Sequence, residues 1–163
     1  MEFQTLPLVA QIGATLAGFA AITGVVRSDP LDLDAAFDIA AYGAITSLFS
    51  LAAILFVVPP HEEISLRLLS GGLAVITAAS LARNVAVFAK AGNHPDPATA
   101  GVPASIGGVA ALFILVTPAL AAAATVVSEP SRASVLYEAA LLSGIAVAVL
   151  LLLFIVAKHF AMK

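Results

Sequence analysis

LLSGGLAVITAASLARNVAVFAK, residues Leu68–Lys90, carries one cation, Arg83, set well inside an otherwise apolar run. At 1.5 Å rise per residue, about 20 apolar residues span the hydrocarbon of a bilayer. Arg83 lies about 10 Å along such a helix from Lys90, so its guanidinium sits in hydrocarbon unless it snorkels. A charge at that depth costs at least about 2.5–3.5 kcal/mol. The stretch therefore reads as a transmembrane helix that requires a partner for Arg83 elsewhere in the chain.

The composition agrees. Of 163 residues, 61% are hydrophobic and 10% charged, with a mean hydropathy of +1.09. Soluble domains run near 45–50% apolar and about 25% charged. Nearly every residue falls in a span or a short connection, which predicts a single all-α transmembrane domain over 1–163. Cysteine is absent, excluding disulfides, thiolate metal sites and cysteine nucleophiles. The N-terminal stretch lacks a basic n-region and reads as a retained first span, not a cleaved signal peptide. Net charge is −3 and no basic run suggests nucleic acid.

Charge-free runs predict five spans, at about 3–26, 35–58, 68–90, 107–127 and 133–157. Backbone groups in lipid must be satisfied internally, and the alternation of a barrel is missing, so the spans are expected to be helices. Pro59-Pro60 ends the second helix or starts a short amphipathic lead, HEEISLR, into the third. Asp34 is the expected N-cap of the second helix, and Ser131 or Ser134 of the fifth. Pro118 interrupts the fourth span, with Thr117 placed to repair the ladder. Arg27, Lys90, Lys158 and Lys163 fall on the face carrying the C-terminus, against Arg67 and Arg132 on the other. The positive-inside bias then sets the C-terminus in the cytoplasm, in a bacterial inner membrane.

On this topology Asp38 and Arg83 enter the membrane from the same face and are within pairing distance, with Asn84 as a further donor. Glu138 enters from the opposite face, where Arg67 is its expected partner. These groups either form an ion or proton site or simply pair helices. On the second helix Asp38, Tyr42, Thr46 and Ser50 follow at i+4 steps as a polar stripe. On the first, Gln4, Gln11 and Thr15 share a face with Gly18 and Ile22. Polar side chains at such depth usually face the bundle interior or a wet cavity, so the two faces are either walls of a hydrated path or helix glue. Ala10, Ala14 and Gly18, and again Gly13, Ala17 and Ala21, are spaced by four. Small residues at that spacing allow close helix approach within the chain or between copies in a homo-oligomer.

His61, His94 and His159 lie in loops or at helix ends, and no His/Asp/Glu cluster in the spans has metal-ligand spacing. No phosphate loop or nucleophile motif appears, so neither an enzyme nor a cofactor is expected.

The first span, QIGATLAGFAAITGVV at Gln11–Val26, resembles that of small multi-span bacterial membrane proteins. LAGFAAITGVV at Leu16–Val26 also resembles the pore-lining first helix of the Orai family of calcium channels. LFIVAKHF at Leu153–Phe160 resembles the end of that family's last helix, and VVPPHEE falls where its second helix ends. That likeness implies an oligomeric cation pore with Gly18, Ile22 and Val25 facing the path. The chain departs from the family in its count of five spans and at the acidic filter position, which falls at Val26 beside Arg27. Two functions follow as expectations: an oligomeric channel acting on inorganic cations, its path lined by the first helix, or a non-catalytic structural or partner-binding membrane subunit.

Overall fold

The computed structural model describes residues 5–26, 30–91 and 104–161, with side chains over 5–23, 36–83 and 109–157. Within these, the chain is a bundle of five helices: α1 (Leu6–Val26), α2 (Pro30–Phe56), α3 (Glu62–Ala91), α4 (Ala104–Val126) and α5 (Pro130–Ala161). No strand occurs among the described residues. Each helix is long and apolar enough to cross a membrane, and the chain is a multi-pass membrane protein.

The helix boundaries follow from local chemistry. Pro30 and Pro130 open α2 and α5, where a missing N–H costs nothing and the ring presets the helical φ. Asp34 consequently lies inside α2 instead of capping it. At α5 the cap passes to Glu129, whose carbonyl accepts from the Ala133 amide at 3.0 Å. The hydroxyl of Ser131 donates to the Glu129 carboxylate, and that of Ser134 bonds back to the Ser131 carbonyl, so neither serine is the cap. After α2 the chain turns through a cis Pro59–Pro60 bond, and HEEISLR joins α3 directly, with Glu62 and Glu63 in its first turn. Acidic residues there complement the positive end of the helix dipole. Helix α4 runs on through Pro118. Thr117 sits beside it, bonding the Phe113 carbonyl at 2.8 Å.

Among lipid tails, helices gain little from burying apolar surface, and close packing of small residues takes over. The tightest junctions are α1 with α2 and α4 with α5, and α2 also lies along α5. α3 packs chiefly on α4 and more lightly on α2. At the α1–α2 crossing, a Cβ added to Gly13 would stand 2.6 Å from the Gly43 carbonyl oxygen. Helix α5 meets α2 at Gly144, where a Cβ would fall 2.6 Å from Thr46 Cγ2. One apolar cluster, around Leu6, Val9, Leu66, Leu73, Tyr137 and Leu141, fills the half of the bundle near the start of α1. A second, around Ala20, Ile39, Tyr42, Ile114 and Val147, fills the half where α5 ends.

Candidate functional site

Two groups of polar residues inside the membrane-spanning region need an explanation. The first is centred on Asp38 and Arg83. Gly72 of α3 faces Phe49 of α2, and the antiparallel run of the two helices from that contact brings residue 83 level with residue 38. The Arg83 guanidinium donates to Asp38 Oδ1 and lies 5.0 Å over the Phe37 ring, so a cation–π contact adds to the ion pair. The register of the Gly13–Gly43 crossing also sets Asp38 level with Gly18, which is about 12 Å inside the end of α1. A charge pair that deep stands because each member lowers the cost of the other. The pair is lopsided: the Asp38 side chain is 16% exposed and that of Arg83 46%. Tyr42, one turn along α2, is buried beside Ser80, within electrostatic reach of both charges. Asn84 lies outside the described side chains.

The expected partnership of Glu138 with Arg67 is not found. Arg67 bonds Glu63 at 2.8 Å, one turn earlier on its own helix, which is nearer than any residue of α5 needs to be. Glu138 accepts a hydrogen bond from the Thr5 hydroxyl at 2.8 Å, tying α5 to the start of α1. Arg132 pairs with Glu129 at 2.6 Å, also locally.

The remainder of the α2 stripe is dry and satisfied. The Thr46 hydroxyl donates to the Tyr42 carbonyl at 2.8 Å, and Ser50 to that of Thr46 at 2.7 Å. Ser47, absent from the expected stripe, reaches across to the Ala10 carbonyl of α1 at 2.9 Å. Thr117 and Ser143 join α4 to α5 at 2.8 Å, and the Tyr137 hydroxyl joins α5 to the Phe49 carbonyl at 2.8 Å. These bonds between helices were beyond sequence reasoning, because Ser and Thr carry the same signal whether they bond their own helix or a neighbour's.

The second group lies on α1. Gln11, Thr15, Gly18 and Ile22 share a face, as the spacing predicts, but it is the outer surface of the bundle. All four are exposed, Ile22 is 67% exposed, and a Cβ added to Gly18 would meet nothing within 4 Å. The expectation that this face looks into the chain's own interior is corrected here. Gly13 and Ala17 take the inward side because α2 approaches closely enough to require small residues there. Thr15 satisfies its hydroxyl on the Gln11 carbonyl at 2.8 Å, while the Gln11 side-chain amide makes no hydrogen bond among the described residues. Gln4 and the side chain of Val25 lie outside what the structure describes.

Among the described residues, no group of three His, Asp or Glu side chains is arranged to hold a metal ion. An open cleft of about 400 Å³ at the α4–α5 connection is lined by Val127, Ser131, Arg132, Val135 and Leu136, at the membrane face opposite the Asp38–Arg83 end. No family model, curated protein or solved structure matches the chain.

Proposed function

We propose that the chain is a small membrane protein whose copies meet along the outer face of α1 and together enclose a path for inorganic cations. The observation that carries this reading is the outward position of Gln11, Thr15 and Gly18, nearly opposite the side of α1 that packs on α2. Gln11 lies about 7 Å inside the start of α1. A primary amide facing lipid there lacks hydrogen-bond partners, whereas a second α1 or a hydrated path supplies them. Gly18 and Ala14 on the same surface let two helices approach closely. The likeness of Leu16–Val26 to the pore helix of the Orai family points the same way. In this reading the protein resides in a bacterial inner membrane with its C-terminus in the cytoplasm, following the distribution of its basic residues.

A second reading, a non-catalytic structural or partner-binding subunit, is favoured by the satisfied hydroxyls of α2, α4 and α5, which leave the single-chain interior dry along that seam. Ion flux into liposomes, measured beside the mass of the protein in native detergent, separates the two. Flux from a defined oligomer supports the channel. A monodisperse, folded protein with no flux under any gradient or voltage supports the structural subunit.

A further inference from the structure

We infer that Asp38, Tyr42, Ser80 and Arg83 enclose an intramembrane site for ordered water, which continues along the α2–α3 junction toward the membrane face where α5 ends. Three observations converge on it. The Tyr42 side chain is 1% exposed, yet its hydroxyl has no hydrogen-bond partner among the described residues. That is unlike Tyr137, whose equally buried hydroxyl closes on the Phe49 carbonyl at 2.8 Å. The unpartnered hydroxyl stands beside Ser80 and near the Asp38–Arg83 pair, so donors and acceptors converge on it from two helices. Buried waters are found where two to four polar groups surround a gap that no side chain closes. Finally, the Arg83 guanidinium is nearly half exposed at a depth of about 12 Å. Bare lipid is a poor surrounding for that exposed edge, and water is a good one.

The light packing of α3 on α2 is consistent with such a wet seam. α1 and α2, by contrast, meet backbone to backbone and leave no room for one. The site is independent of whether copies assemble along α1, since Asp38 and Arg83 belong to α2 and α3.

The absence of cysteine makes the test direct. Ser80→Cys and Ala79→Cys set a thiol at the same depth, one beside Tyr42 and the other on the exposed outer surface of α3. A thiol reacts as its thiolate, which forms in water and not in lipid. In proteoliposomes, a membrane-impermeant cationic thiol reagent is expected to modify Ser80→Cys at least tenfold faster than Ala79→Cys. It should do so only from the face where α5 ends. Equal rates, or no reaction at Ser80→Cys, overturn the inference. Tyr42→Phe gives a second reading that does not depend on a cysteine. A hydroxyl bound to water is missed, so the variant should melt at a lower temperature; a higher melting temperature would mean that the hydroxyl is orphaned in a dry site.

Discussion

Gly13 and Gly43 meet backbone to backbone: a Cβ on Gly13 would stand 2.6 Å from the Gly43 carbonyl oxygen, and one on Gly43 would stand 2.5 Å from that of Gly13. Neither residue adopts a positive φ, so the requirement for glycine here is one of space and not of backbone conformation. Because the atom in the way is a helix carbonyl on each side, no rotamer change relieves the clash. Gly43→Ala should therefore push α1 off α2 and destabilise the bundle by about 1–3 kcal/mol, the usual range for overpacking. Thermal unfolding in detergent reads this as a lowered midpoint. Gly18→Ala, on the open side of α1, should leave the midpoint of the single chain unchanged.

The Asp38–Arg83 pair predicts an asymmetric outcome. Asp38→Ala leaves an unpaired guanidinium at depth and should cost about 2.5–3.5 kcal/mol, on the scale of inserting a charge. A double variant, Asp38→Asn with Arg83→Gln, removes both charges and should recover much of that loss. A double-mutant cycle on unfolding free energies measures the coupling, and a cycle that closes with no coupling would remove the pair from the fold's support.

Hydroxyl bridges between helices should weigh less. Ser143→Ala deletes the bond to Thr117 and Tyr137→Phe the bond to the Phe49 carbonyl. Interhelical hydrogen bonds in membranes average about 0.6 kcal/mol, so each variant should fold with a small drop in stability. Thr117→Val should cost more than Ser143→Ala, since Thr117 also bonds the Phe113 carbonyl beside Pro118.

Gln11→Leu separates fold from assembly. The Gln11 side chain is exposed and makes no hydrogen bond among the described residues, so the unfolding midpoint of the single chain should hold. If copies meet along α1, the mass in native detergent should shift toward the monomer or the flux should change. Unaltered mass and flux would remove Gln11 from both roles.

The five spans were legible because charge-free length is a strong signal in a chain with so few charges. Their ends moved outward where a proline could open a helix, as at Pro30 and Pro130, and where HEEISLR proved continuous with α3. The Asp38–Arg83 pair was legible too, since two opposite charges entering from one face have few alternatives. Glu138 was misassigned for the converse reason. Arg67 has Glu63 one turn away on its own helix, and a threonine just before α1 gave no sign of being a carboxylate's partner. The facing of α1 was misread because a glutamine within a span signals avoidance of lipid without saying which neighbour it avoids lipid with. Sterics decided instead, through Gly13 and Ala17. The Gly13–Gly43 contact could not have been chosen among the eleven glycines from spacing alone.

Thr46 stands between two glycines on different helices: a Cβ on Gly13 would lie 2.8 Å from its hydroxyl oxygen, and one on Gly144 would lie 2.6 Å from its methyl. Its hydroxyl is held by the Tyr42 carbonyl, so turning away from one neighbour drives it toward the other. Positions 13, 46 and 144, far apart in the chain, are therefore not free to drift separately. A methyl gained at either glycine is tolerated only after position 46 has shrunk to serine or alanine. The order in which substitutions arrive decides whether the same end sequence is reached through folded intermediates or not at all.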